Sequence, residues 1–364
     1  MSFIEEAIGG EADVTDVVYM LNPHLRVVRC SDDELLVRHG ARSLYSQVLT
    51  DPARMHLLAR LVEAFRTPTS LRQFLGAASA DDRTTLSPSA ESMLETLVKE
   101  GVLVEPTPSL GEVYLRTIVA RRRGDLADGL ANRTVALVGG GALGRLVADD
   151  LLSAGIGGIR VADSRVGAAA TNAEALASVL DGANLPLGLE VVAGDPSAAQ
   201  VIEPMLEGCD FALVAWETFS PALFHAVNGA ALEQGVPWLL VYVDGAEAVI
   251  GPLVVPGQTS CYLEYEIQVE ASLVQRDSYE LYKEELADLG SDIEPYVLSP
   301  YGKVAAGLAS ASALAFVAGA ASPSPNRVIR VDFERFAIDY QDVLRLPRCP
   351  ACGQDRPAYR QLFL

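Results

Sequence analysis

Apolar positions fall into two regimes along this chain. Up to residue 105 they arrive in short bursts. Leu25–Arg29, Glu34–Arg38 and Ser43–Leu49 read as three brief extended runs, with Ser31-Asp32-Asp33 and Gly40 supplying the turns. Residues 1–15 before them are small and polar, the pattern of a loose arm. Asp51-Pro52 predicts a helix start, because aspartate suits an N-cap and proline the first turn. Leu57, Leu58, Leu61, Val62 and Phe65 recur behind it at helical spacing. Thr69–Gly76 predicts a second, short helix. Ser87-Pro88 opens a third that runs to Glu100, with Met93, Leu94, Leu97 and Val98 as its apolar stripe. Gly101 stops it and Val102–Val104 returns as a strand. Three extended runs, three helices and a strand make a winged-helix-like module over residues 17–105.

From residue 134 the apolar runs lengthen and alternate regularly with helical stripes. Val135–Val138 is a β-branched run that enters Gly139-Gly140-Gly141-Ala142-Leu143-Gly144, a G-x-G-x-x-G turn. A helical pattern over Arg145–Ala154 follows, then a second run, Ile159–Ala162, ending in Asp163. Strand, glycine turn, helix, strand and terminal acid are the parts of a nucleotide-binding βαβ unit. In such a unit the glycines admit phosphate to free N–H groups at the helix start. The acid is placed to accept from a ribose hydroxyl. Helical patterns at Ala173–Leu180, Ala198–Leu206 and Pro221–Gln234 then alternate with strands at Leu189–Val192, Phe211–Ala215, Trp238–Val243 and Ile250–Val255. This alternation predicts a mostly parallel sheet covered on both faces. Val269–Pro295 is polar, acidic and less regular, an excursion across the body; Pro300–Ala318 is a long Ala-rich helix and Val328–Phe333 another strand. Residues 106–132 begin as a Pro-containing linker and become a helix, on which Arg121-Arg122-Arg123 is either a solvated face or a neighbour of phosphate.

Composition narrows the function classes. A chain of 364 residues holds two domains, and half of it is hydrophobic, so both pack cores. The net charge of −20 argues against nucleic acid and against anionic membrane as partners. The third helix, Ser87–Lys99, carries two glutamates and one lysine, which does not suit phosphate contact; a packing or dimerisation role is the plainer alternative. No run is long enough to span a bilayer, and the N-terminus lacks a signal-peptide pattern, so a cytoplasmic protein is expected. Five cysteines do not make a disulfide scaffold. Cys30 and Cys209 are expected in the core. His24, His39, His56 and His225 are scattered and suggest no catalytic triad.

Residues 109–364 resemble the ThiF-type, ubiquitin-activating-enzyme-like adenylating fold. The resemblance rests on VALVGGGALG at 135–144, the strand ending at Asp163, CDFALVAWET at 209–218, GPLVVPGQTSCYLEY at 251–265 and RCPACG at 348–353. Residues 1–108 resemble the precursor recognition element of ribosomally made, post-translationally modified peptide (RiPP) biosynthesis. That fusion is typical of proteins that partner YcaO enzymes in azole and azoline formation. The fold implied is α/β, an N-terminal winged-helix-like peptide-binding module followed by a Rossmann-like ThiF-type domain.

The resemblance also implies sites. Gly139, Gly141, Gly144, Asp163, Arg165 and Glu217 stand at the family's nucleotide positions, with Arg165 replacing the usual second acid and Glu217 the usual metal-binding Asp. The Arg-Gln pair and lysine of active relatives are missing, and no Lys or Arg occurs between Arg165 and Arg276. A triphosphate needs such cations, so ATP use is doubtful and a non-catalytic scaffold is the first reading, an active adenylating enzyme the second. Relatives hold a structural zinc on two Cys-x-x-Cys pairs. Here the set is Cys261, Glu264, Cys349 and Cys352, which is either a zinc site or a reduced relic. Relatives also pair as homodimers, for which the Pro300–Ala318 helix offers an apolar face. In the recognition element an extended leader peptide adds to the third strand beside the third helix. That implies Ser43, Leu44, Tyr45, Ser46 and Gln47 on the edge and Ser89, Met93, Thr96 and Leu97 on the helix, unless Met93 and Leu97 simply close the core. The expected function is to bind a precursor's leader peptide and deliver it to a separate YcaO-type cyclodehydratase.

Overall fold

The computed structural model describes residues 16–42, 46–77, 80–106, 110–114, 129–163, 172–181, 183, 185–289, 296–319 and 325–353. Ser43, Leu44, Tyr45, Arg121–Arg123 and Arg165 lie outside the described residues. Two compact units divide the chain, residues 1–118 and 119–364.

The first unit runs β1 (Val18–Leu21), β2 (Arg26–Arg29), β3 (Glu34–Arg38), β4 (Ser46–Thr50), α1 (Leu57–Ala64), β5 (Thr69–Ser70), α2 (Leu71–Gly76), α3 (Ala80–Lys99), β6 (Leu103–Val104) and α4 (Leu110–Tyr114). The expected meander is an antiparallel sheet in the order β2-β3-β4, so β4 is an edge strand. A second small sheet, β5-β1-β6, uses two strands that the hydrophobic pattern did not single out. Leu35, Val37 and Leu49 from the meander meet Leu58 and Leu61 of α1, Phe65 at its C-cap, and Leu94 and Leu97 of α3 in one core.

Two helix starts differ from expectation. Asp51 does not cap a helix directly: its carboxylate accepts from Ala53 N, Met55 N and Leu57 N and so organises a loop. His56 then takes a left-handed φ of 55°, and α1 begins only at Leu57. The same carboxylate that favours an N-cap also favours this local loop. The third helix starts upstream of Ser87, and Pro88 sits inside it at the cost of one backbone bond. By contrast α2 has a full capping box, Ser70 Oγ accepting from Gln73 N and Gln73 Oε1 from Ser70 N. Gly101 ends α3 with a left-handed φ of 67°.

The second unit runs β7 (Thr134–Val138), α5 (Ala142–Ala154), β8 (Gly158–Ala162), α6 (Asn172–Leu180), β9 (Gly188–Val192), α7 (Ala199–Leu206), β10 (Phe211–Trp216), α8 (Pro221–Gln234), β11 (Trp238–Asp244), β12 (Glu247–Val254), α9 (Tyr262–Ser272), α10 (Arg276–Leu289), α11 (Ser299–Val317), β13 (Arg327–Asp332) and β14 (Ala337–Asp342). These form an eight-stranded sheet in the order β14-β13-β12-β11-β10-β7-β8-β9. The pairs from β9 through β11 are parallel and those from β11 through β14 antiparallel. This is a Rossmann-like body with a mixed edge.

Every residue of β10 is buried, as its uninterrupted apolar run requires when both faces are covered. On one face α7, α8 and α9 bring Met205, Phe224 and Tyr262 onto Val214, Leu240 and Tyr242. The opposite parity of β10 faces α11, where Phe211 meets Phe316 at 5.5 Å between ring centroids. The Ala-rich face of α11 is consumed within the unit: Ala305, Ala306, Ala309 and Ala313 are buried, while Lys303, Val304, Gly307 and Ala311 are exposed. The acidic stretch expected to be an irregular excursion contains the end of α9 and all of α10. It stays polar because α10 is largely exposed.

Candidate functional site

The glycine turn is built as its sequence requires. Gly139 closes β7 with φ at 115°, and a Cβ there would stand 2.0 Å from Ala215 O. Gly141 is the N-cap of α5, and Gly144 packs so that a Cβ would stand 1.9 Å from Gly139 O. What differs is the use of the turn's donors. Asp163, which ends β8, accepts from Gly140 N at 2.7 Å. Glu217, which follows β10, accepts from Leu143 N at 2.8 Å. The two carboxylates are 1% and 4% exposed. The first-turn N–H of α5 that a phosphate would use therefore already holds a carboxylate, and a phosphate would enter beside two buried anions. Among the described residues, the protein's own carboxylates thus occupy two of the donors that a phosphate would use. One cation escaped the sequence reading: Arg145 Nε donates to Gly140 O at 3.4 Å, placing an exposed guanidinium beside the turn. Its position immediately after Gly144 was the available signal.

Cys261, Glu264, Cys349 and Cys352 come together, their ligand atoms all within 4.8 Å of one another. Cys261 and Glu264 sit at the start of α9, and Cys349 and Cys352 follow β14. Cys261 Sγ and Cys349 Sγ are 3.7 Å apart, and Cys352 Sγ donates to Glu264 Oε2 at 3.3 Å. Two thiolates on tetrahedral zinc, at about 2.3 Å each, stand about 3.8 Å apart, so the donor set fits the metal. Glu264 is also fixed by the backbone, accepting from Cys261 N at 2.8 Å and from Leu346 N at 2.5 Å. Burial pushes the Cys261 thiol up to about 11, with Cys349 adding to it, and raises Cys352 as well. A bound cation would reverse that direction. Of the two remaining cysteines, Cys209 is buried as expected. Cys30 is exposed: it lies in the turn after β2, where its Sγ reaches Val28 O at 3.9 Å.

In the first unit a cavity of about 380 Å³ lies between the end of β4 and α3. Leu49, Thr50 and Asp51 line it from one element and Ser89, Met93 and Thr96 from the other. Leu97 also touches it but is a core residue at 1% exposure. Along β4, Gln47 and Leu49 turn inward while Ser46, Val48 and Thr50 are exposed. Thr50 and Asp51 lie beyond the edge expected from sequence.

No family model matches the chain, and no curated protein matches it. Solved structures do. E. coli MccB in complex with MccA-N7isoASN superposes with a TM-score of 0.61 at 19% identity, over 93% of this chain and 100% of that one. The E. coli MccB structure with ATP gives 0.60 at 19% over the same shares. The heterocyclase TruD gives 0.60 at 16%, over 92% of this chain and 43% of TruD. The chain has a Rossmann-like, ThiF-type fold. Within that fold, the glycine turn lies at the carboxyl ends of the parallel strands, where ligands of open α/β sheets bind.

Proposed function

We propose that this chain is a leader-peptide-binding protein of RiPP biosynthesis, which captures a ribosomal precursor and presents it to a separate YcaO-type cyclodehydratase. The observation that carries the reading is the cavity between α3 and β4, an edge strand among the described residues. An edge strand offers unpaired N–H and C=O groups to an extended peptide, and the neighbouring cavity takes its side chains. The half-buried Met93 and the exposed Ser92 and Thr96 supply an amphipathic wall. Exposed Glu91 and Glu95 on the same helix favour a basic leader. The fold shared with MccB, solved in complex with MccA, and with the heterocyclase TruD supports this class. On this reading residues 1–108 are the recognition element and residues 109–364 a ThiF-type body whose nucleotide site is vestigial. Zinc on Cys261, Glu264, Cys349 and Cys352 is structural, and the chain works as a homodimer without nucleic acid or membrane partners. No described helix is long and apolar enough to cross a membrane.

A second reading is an ATP-dependent adenylating enzyme. It is favoured by the intact glycine turn and by MccB having been solved with ATP. The discriminating experiment is ATP–pyrophosphate exchange in the presence of a candidate precursor peptide. The scaffold reading expects none. Robust exchange abolished by Asp163→Ala would replace it with the enzyme.

A further inference from the structure

A second cavity, of about 290 Å³, lies in the C-terminal unit at the carboxyl end of β11, and Phe219, two residues past Glu217, contributes to its wall. Its walls are mainly phenolic: Tyr242 from β11, Tyr262 and Tyr265 from α9, and Tyr279 from α10. Phe219 links them, with ring centroids 5.8 Å from Tyr242 and 5.9 Å from Tyr279. A volume near the lower end of ligand sites, roughly 300 Å³, suits one side chain rather than a nucleotide.

The charges around it are unbalanced. Arg330 is committed to Glu247 at 2.5 Å. Glu266, buried in the wall, is committed to His225 at 2.8 Å and Lys283 at 2.9 Å. Asp244, exposed where β11 ends, has no cationic partner among the described residues. Tyr262, 1% exposed, also lines the cavity. With Glu247 matched by Arg330 and Glu266 by Lys283, the Asp244 carboxylate is the excess charge, and it disfavours an anion. Aromatic faces beside an unpaired carboxylate attract a cation, and apolar ring surface takes the alkyl stem that carries it.

We propose that this cavity binds the basic side chain, arginine or lysine, of a peptide held by the protein. The inference rests on the peptide-binding reading for what carries the cation, not for the cavity's preference. The test uses full-length protein and three probes in ligand-observed NMR titrations: Nα-acetyl-arginine amide, Nα-acetyl-lysine amide and the neutral Nα-acetyl-norleucine amide. Both cationic probes are expected to bind saturably, and norleucine at least tenfold more weakly. Asp244→Asn, an isosteric change at an exposed position, is expected to weaken the arginine probe at least tenfold, and Tyr279→Leu to weaken it similarly. Met93→Glu, in the other unit, should leave it unchanged. Equal binding of norleucine, no effect of Asp244→Asn, or no saturable binding of either cation would overturn the proposal. Leader binding fails or survives separately, because it is read at Met93. A free small cation is distinguished by methylguanidine: if it binds as tightly as the arginine amide, the site takes small cations and the peptide assignment is overturned.

Discussion

Glu264 does three jobs at once: it caps α9 through Cys261 N, accepts from Leu346 N, and meets Cys352 Sγ. Glu264→Gln keeps much of the cap and removes the anion. Purified protein is expected to contain about one zinc per chain by metal analysis, with Glu264→Gln and Cys349→Ser each losing most of it. Because the buried thiols resist ionisation without the ion, zinc uptake should release protons and tighten as pH rises between about 6 and 8. A different network governs acid stability. Burial alone would raise the Glu266 carboxyl, but the hydrogen bonds from His225 and Lys283 outweigh it and hold it below its ordinary value. A depressed acid contributes stability above its unfolded value of about 4.3, and that contribution is lost as pH falls through the folded one. Lys283 runs the other way: hydrogen bonds to Glu270 and Glu266 outweigh its burial and raise it, so its contribution holds below about 10.4 and fades at higher pH. Lys283→Met should cost about 2 kcal/mol in urea denaturation at neutral pH, with a smaller difference in acid. The metal set was legible in the sequence because Cys-x-x-Cys spacing survives on one side. The exposure of Cys30 was not, because residue type states a preference for burial and not a location.

At the scale of elements, the β7–α5 turn is fixed by backbone crowding. Gly144→Ala would drive a Cβ to 1.9 Å from Gly139 O, so it should destabilise the second unit by about 3 kcal/mol in thermal or urea melts. Gly229→Ala on α8, with nothing within 4 Å, is the control that should not. Alternating strands and helices were readable here because fully buried strands must be continuous apolar runs, as in β10. Reading failed where the physics leaves no run. β14 is an edge strand with mostly exposed residues, AIDYQD, and its pattern resembles a loop. α10 is an exposed helix rich in charge, held by Lys283 rather than by a wide apolar stripe. β1 and β5 pair over two residues only, too short for periodicity to register. The cavity wall on α3 was legible from the Ser89–Met93–Leu97 spacing, although Leu97 belongs mainly to the core.

For the whole molecule, the proposed division of labour gives peptide capture to the first unit and support to the second, where Gly140 N and Leu143 N serve the protein's own carboxylates. The chain is expected to be a homodimer by light scattering at micromolar concentration. A monomeric mass across that range would remove this part. The exposed positions of α11 offer little apolar surface, because its alanines are spent on α5 and the sheet. The most direct test of the central claim is isothermal titration of the full-length chain with the leader peptide of a candidate RiPP precursor, with and without ATP and Mg2+. Leader binding is expected to be indifferent to nucleotide and weakened at least tenfold, about 1.4 kcal/mol, by Met93→Glu in protein that remains folded. Binding that requires ATP, or that Met93→Glu leaves intact, would contradict the claim.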